Sequence, residues 1–227
     1  MLTQADHKRI ADAVTEAESK SSGEIFCVLA HEVSRYREVP LLWATLAAFV
    51  LPPLAVLGGL HRLVLDSNFS SWTDQSLHPL PSLIRDVLSA YTLAQAVLFC
   101  VVALIVSLPS VRRVMTPRAL KRHRVRQVAR HHFAASGARV TDAEPHILIF
   151  ASLHDRQVEL VAHAAIHKAV GSGPWNASVA AVIAGMKQSR PADGFVRAVE
   201  ICCAALAQHF PSDGAPKNQL PNDIVEI

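Results

Sequence analysis

Two long runs of apolar residues dominate the pattern of hydrophobic and polar positions along the chain. Residues 41–60 and residues 88–108 contain no charged side chain. As a helix, each run would extend for about 30 Å, the thickness of the hydrocarbon core of a bilayer. The pattern therefore predicts two transmembrane helices, with two buried core helices of a soluble protein as the alternative. Pro52-Pro53 within the first run predicts a kink.

Shorter periodic segments on both sides of these runs predict a soluble α/β domain. Residues 3–20 are typical of a helix that opens with a Thr3–Asp6 capping box, and residues 24–30 of a buried strand. A further helix is predicted from Thr116-Pro117 to Gly137, followed by a β-hairpin at 147–152 and 156–162. Apolar stripes at 175–186 and 195–210 then predict two amphipathic helices.

Three strands cannot bury their apolar faces unless the N-terminal strand joins the hairpin. The predicted fold class is therefore α/β: a small sheet of three to four strands flanked by helices and interrupted by a two-helix transmembrane hairpin. The predicted division of the chain is the first part of a cytoplasmic domain at 1–40, a transmembrane helix at 41–60, an external loop at 61–87, a second transmembrane helix at 88–108, the second part of the domain at 111–211 and an irregular tail at 212–227.

Composition and charge agree with a membrane anchor and give it a direction. Hydrophobic residues make up 51% of the chain and charged residues 18%, a combination that is unusual for a soluble protein. Residues 111–139 hold nine basic and no acidic side chains. Since positive charge resists translocation, both termini are expected in the cytoplasm and the loop outside.

The same basic stretch suggests partners. Basic side chains close to a bilayer attract anionic lipid headgroups, and the residues we expect to do so are Arg112, Arg113, Arg118, Lys121 and Arg122. A topogenic signal on a solvated helix is a sufficient alternative explanation. Nucleic acid is not expected as a partner, because the stretch lacks interleaved aromatic residues.

The four cysteines form no CxxC pair and are expected to be buried thiols.

Several short motifs, in this order and spacing, resemble the TPM-domain family, often labelled putative phosphatase, and in particular its small bacterial membrane-anchored members. The motifs are Ser22-Gly23-Glu24, Pro40-Leu41-Leu42-Trp43, Ile147-Leu148-Ile149-Phe150, Asp155-Arg156, Val158-Glu159-Leu160-Val161-Ala162, Ile166-His167, His209-Phe210-Pro211 and Leu220-Pro221-Asn222. The resemblance implies a compact sheet with helices on both sides and a location in the bacterial inner membrane. In better-studied relatives it also implies an acidic loop cluster linked to calcium and acid-phosphatase activity, and in others an accessory role in membrane assemblies.

The candidate site residues are few. Asp155 occupies a polar turn position of the family, and His163 stands where many relatives have an acid. His163 and His167 have the i, i+4 spacing that can place two imidazoles on one helix face. We name Asp155, His163 and His167 as candidate catalytic residues, and the two histidines as candidate metal ligands. No cofactor is predicted, because residues 162–173 contain no carboxylate to bind a cation such as calcium. Calcium or a transition metal is the alternative.

Two functions follow from these features. The first is a non-enzymatic accessory or interaction factor of a membrane protein assembly, held at the bilayer by its anchor. The second is a phosphatase-like hydrolase, by family analogy. Convergence of Asp155, His163 and His167 in one pocket would favour the second.

Overall fold

The computed structural model describes residues 2–34, 36–59, 80–137, 145–212 and 220–227. Within them lie eight helices and one four-stranded sheet. The chain divides into two compact units, one formed by Met1–Arg35 with Arg118–Ile227 and the other by Tyr36–Pro117. Most of the external loop expected at 61–87, and part of the tail expected at 212–227, lie outside the described residues.

The first unit is an α/β structure. Its elements in chain order are α1 (Gln4–Lys20), β1 (Glu24–Ala30), α5 (Arg118–Gly137), β2 (His146–Ser152), β3 (Gln157–Ala162), α6 (Ala164–Val170), α7 (Gly173–Lys187), α8 (Pro191–His209) and β4 (Val225–Glu226). The second unit contributes α2 (Glu38–Leu57), α3 (Leu80–Ser107) and α4 (Pro109–Met115). The capping box of α1 is present as expected, with Thr3 and Asp6 satisfying each other's backbone N–H groups.

The sheet has the strand order β3-β2-β1-β4. β1 runs parallel to β2, with Glu24 opposite His146, and β2 and β3 form the expected antiparallel hairpin. The N-terminal strand therefore joins the hairpin, although the whole second unit separates them in sequence. Both β1 and β2 are nearly continuous apolar runs because helices cover both faces of the sheet.

Alternate side chains of the central strands pack into two separate hydrophobic cores. Ile147 and Ile149 belong to a core with apolar residues of α1, α6, α7 and α8. Leu148 and Phe150 belong to a smaller core with Val125 and Ala129 of α5. One face of the sheet is thus packed by several helices and the other by α5, as the period of two in a strand requires.

The C-terminal segment corrects the expectation of an irregular tail. β4 pairs in parallel with β1, Val28 opposite Val225, and the Ile227 N–H donates to the Leu29 carbonyl at 3.0 Å. A strand of two residues is too short to produce a recognisable alternation, so its sequence carries no strand signal. His7 fixes the segment further through ion pairs with Asp223 and Glu226 at 3.0 and 3.1 Å.

In its described residues, the second unit has two helical segments long and apolar enough to cross a membrane: Glu38–Leu57, which is α2, and Val87–Ser107, which is part of α3. Both differ from the predicted limits. α2 begins at Glu38 rather than at residue 41, because a proline such as Pro40 is tolerated in the first turn of a helix. α3 begins at Leu80 rather than at residue 88, so part of the predicted loop is helical.

α2 continues through Pro52 and Pro53 because a side chain of α3 compensates for a lost backbone bond. Proline at 52 has no N–H, which leaves the Ala48 carbonyl one turn earlier without its helical donor. The Gln95 side-chain amide donates to that carbonyl at 3.0 Å. The pair satisfies two polar groups that would otherwise be unpaired in an apolar setting.

Candidate functional site

Asp155 lies in the turn between β2 and β3 and is buried, with 5% of its surface exposed. The Ser152 hydroxyl donates to Asp155 Oδ2 at 3.0 Å, and the Asp155 backbone N–H donates to Ser152 Oγ at 3.4 Å. Such side-chain to backbone pairs hold a turn in shape. The other carboxylate oxygen, Oδ1, is buried without a hydrogen-bond partner in the described part of the chain.

The two candidate histidines lie at the far end of β3 from Asp155. His163 follows the strand and caps α6, where its Nδ1 accepts from the Ala165 backbone N–H at 3.4 Å. His167 lies one turn later in α6. A six-residue strand is about 20 Å long, and β3 separates Asp155 from His163. The structure therefore does not bring Asp155 together with His163 and His167 in one pocket.

In residues 2–34, 36–59, 80–137, 145–212 and 220–227, no group of three or more His, Cys, Asp or Glu side chains is placed to hold a metal ion. Of the cysteines, Cys27 and Cys202 are buried, Cys203 is partly buried and Cys100 is exposed. Burial raises the pKa of the Cys202 thiol to about 12, so this thiol is protonated and unreactive at neutral pH.

One concavity of the first unit follows β3, and we call it the β3 groove. It has a volume of about 460 Å³. Its lining residues come from α5, β3 and the α6–α7 region: Arg122, Arg126, Gln157, Val158, Glu159, Leu160, Ala162, His167, Ser172, Trp175, Asn176, Val179 and Ile183. A second concavity of about 640 Å³ adjoins it on the α5 side, sharing Arg122, Arg126 and Gln157 and adding Arg118, Ala119 and His123.

The α5 wall of the groove is basic. Arg118, Arg122 and Arg126 are spaced four residues apart, so they lie along one face of the helix. Arg126 Nε binds Glu159 Oε1 of β3 at 2.7 Å. Arg118 and Arg122 are exposed and have no carboxylate within 4 Å in the described ranges. Two guanidinium groups therefore remain available to a ligand.

The opposite wall is largely apolar. Val179 and Ile183 of α7 are partly exposed there, one turn apart on the helix, and Asn176 lies one turn before Val179. Trp175 is almost buried, and its indole Nε1 has no acceptor in the described residues. The groove thus has a cationic side and an apolar side, with the edge of the sheet between them.

The residues that line the β3 groove carry separate sequence signals, and none of these signals predicts that the residues lie together. The arginines belong to the basic stretch of the sequence, and Trp175 and Val179 belong to a predicted helical stripe. Their meeting depends on β3 being the edge strand beside α5 and α7. Strand order is a tertiary property that local periodicity does not encode.

Comparison with known proteins supports the fold and gives no function. No protein-family model matches the chain, and comparison with curated proteins gives no match. Among solved structures, the chain is similar to the BA42 protein of the psychrophilic bacterium Bizionia argentinensis, determined by NMR. The TM-score is 0.54 at 17% sequence identity, and the likeness covers 100% of this chain and 95% of that one. At this identity the likeness concerns the fold alone.

Proposed function

We propose that the chain is a membrane-anchored TPM-like protein of the bacterial inner membrane that serves a membrane protein assembly as a non-enzymatic accessory factor. The observation that carries the proposal is the connection of an α/β unit with an open groove to two exposed apolar helices. Phe49, Leu57 and Leu104 expose 68%, 83% and 73% of their surfaces. Large apolar side chains exposed along the length of two helices are what a lipid environment stabilises.

Contacts within the second unit support an anchor whose ends lie together. The Trp43 indole Nε1 donates to the Met115 carbonyl at 3.0 Å, which joins the beginning of α2 to the end of α4. Both chain connections to the first unit therefore leave the same end of the helical pair. With the excess of arginine after α3, this supports cytoplasmic positions for both chain ends.

Anionic lipids are the second partner in this proposal. Arg112, Arg113, Arg118, Lys121 and Arg122 follow the second apolar helix directly in sequence. Each basic side chain near an anionic surface contributes about 1 kcal/mol to its attraction. These residues would strengthen the hold of the cytoplasmic unit on the inner leaflet without adding a catalytic group.

Isolation of the full chain from membranes tests the accessory role. After chemical cross-linking and extraction with a mild detergent, we expect an integral membrane protein to co-purify in a fixed ratio with the chain. A chain that migrates alone under these conditions contradicts the proposal. The same preparation is assayed with a generic phosphate ester, and hydrolysis that disappears in Asp155→Ala or His163→Ala would support the hydrolase instead.

A further inference from the structure

We infer that the outer edge of β3 binds an extended protein segment as an additional strand, with acidic side chains towards α5 and apolar side chains towards α7. The inference rests on the proposed role of the first unit as a binding module and names the class of its partner. Strand addition at an open sheet edge combines main-chain hydrogen bonds with pockets for alternate side chains. Backbone pairing, edge protection and the two groove walls each support it.

The hydrogen-bond register of the hairpin identifies the free backbone groups. The His163 N–H donates to the His146 carbonyl at 3.0 Å, so this opposed pair is hydrogen-bonded. Bonded and non-bonded pairs alternate along an antiparallel ladder. The N–H and C=O groups of Val158, Leu160 and Ala162 therefore point away from β2, and these three residues line the β3 groove.

The two edges of the sheet differ in how well they are protected against pairing with an additional strand. At the opposite edge, β4 is only two residues long, and short edge strands offer little to an additional chain. β3 has six residues, Gln157–Ala162, and contains neither proline nor lysine, the residues that commonly block edges. Its outward backbone groups have no partner in the described part of the chain.

The walls specify which side chains an added strand should carry. Gln157 and Glu159 point to the α5 side of the sheet, as the Arg126–Glu159 ion pair shows. An added strand would direct every second side chain to the same side, where Arg118 and Arg122 lack a carboxylate. The remaining side chains would face Val179 and Ile183. Alternating acidic and apolar residues satisfy both walls.

The length of the free edge limits the segment. From Val158 to Ala162 the strand rises by about 13 Å, which corresponds to roughly five residues of partner. Such a segment places two acidic side chains on the α5 side, matching the two available arginines. Anionic lipid headgroups could also bind these arginines, but they would make no use of the outward backbone groups.

The test uses the full chain in nanodiscs of zwitterionic phosphatidylcholine and a fluorescent peptide of sequence Thr-Val-Glu-Val-Glu-Val-Thr, followed by anisotropy. We expect saturable binding that weakens about tenfold or more in Arg122→Glu, because a charge-assisted contact becomes a repulsion. The matched control is Arg130→Glu, which makes the same charge change on α5 outside the groove and should bind within about twofold of the unmodified chain.

Two modified peptides separate strand addition from simple charge attraction. N-methylation of alternate backbone nitrogens, in either register, leaves the charge unchanged and removes the donors of one edge, so at least one register should abolish binding. A peptide with lysine in place of glutamate should bind only the double variant Arg118→Glu/Arg122→Glu. Binding that survives N-methylation in both registers overturns the inference, because the peptide is then held by its side chains without strand pairing.

The outcome can be told apart from that of the co-purification experiment. A peptide that fails to bind, together with a membrane protein that still co-purifies with Arg122→Glu, overturns the edge site and leaves the accessory role intact. A peptide that binds as expected, with no co-purifying protein, supports the edge site and contradicts only the accessory role. Circular dichroism of each variant confirms that the exposed substitutions leave the fold intact.

Discussion

At the scale of single residues, the carboxyl of Glu18 is strongly affected by its surroundings. It lies near the end of α1, where the Ile25 backbone N–H donates to its Oε1 at 3.5 Å. Burial raises the pKa of Glu18 to about 7, and the nearby charge of Glu24 adds to this rise while the hydrogen bond from Ile25 opposes it. The charged form of Glu18 is therefore disfavoured in the folded protein.

The prediction is that Glu18→Gln stabilises the first unit at alkaline pH and not at acid pH. Because the pKa is raised on folding, the destabilisation is absent below the ordinary value of 4.5 and is complete above about pH 7. We expect a gain of about 1 kcal/mol at pH 8, reduced by partial solvation of the carboxylate. Hydrogen exchange of the β1 amides between pH 4 and pH 8 measures it.

Glu16→Gln on the same helix provides the control for Glu18. The Lys20 ammonium contacts Glu16 at 2.6 Å, and its hydrogen bond and charge lower the pKa of that carboxyl. This neighbour should therefore show no gain of stability with rising pH. A Glu18→Gln variant whose effect is the same at pH 4 and pH 8 would contradict the assignment.

At the scale of elements, the Gln95–Ala48 hydrogen bond links α3 to the proline-containing α2. We predict that Gln95→Leu weakens the helical pair by about 0.6–1.7 kcal/mol, the range for hydrogen bonds between membrane helices. In a Pro52→Ala background the same change should cost much less, because residue 52 then supplies an N–H to the Ala48 carbonyl. A double-mutant cycle of unfolding in detergent micelles measures the coupling, and additive effects would show that the two residues are independent.

The contact between α7 and α8 gives a second prediction at this scale. A Cβ atom on Gly185 would lie 2.7 Å from Gly194 Cα and 2.8 Å from the Arg190 carbonyl oxygen. Both are backbone atoms, so the helices themselves would have to move apart. Gly185→Ala should destabilise the first unit by about 1–3 kcal/mol.

Gly173→Ala tests whether the effect of Gly185→Ala comes from packing. Gly173 lies in the same helix, and a Cβ there meets nothing within 4 Å. Thermal unfolding of both variants should show a lowered midpoint for Gly185→Ala alone. Equal midpoints for the two variants would mean that the α7–α8 approach tolerates a methyl group.

Some elements of the fold could be predicted from the sequence and others could not. The capping box of α1, the buried run of β1 and the β2–β3 hairpin could be recognised because each has a local signal in composition or period. The strand β4 could not, because two residues carry no period and gain their conformation by pairing with β1. Asp155 precedes β3 and His163 follows it. The predicted hairpin therefore already implies that these two residues lie far apart.

At the scale of the whole molecule, the two apolar helices predict how the chain partitions. We expect the full chain to remain with membranes after alkaline carbonate extraction and to require detergent for release. Val97, 55% exposed, lies near the middle of Val87–Ser107. Val97→Arg should cost about 2.5–3.5 kcal/mol of insertion free energy and increase the extracted fraction, while Val97→Leu should not. A full chain that stays in solution without detergent would contradict the anchor.

The parallel pairing of β1 with β2 also sets an order of events during synthesis. β1 ends at Ala30, and its neighbour begins at His146; the helices α2 and α3 emerge from the ribosome between them. If the proposed anchor is correct, the nascent β1, apolar on both sides, stays without a neighbouring strand while α2 and α3 enter the bilayer. Closing so long a loop is slow, and unpaired apolar strands aggregate. Newly made chains should consequently depend on chaperones until translation has passed β2, and ribosome profiling of chaperone-bound nascent chains would reveal that interval.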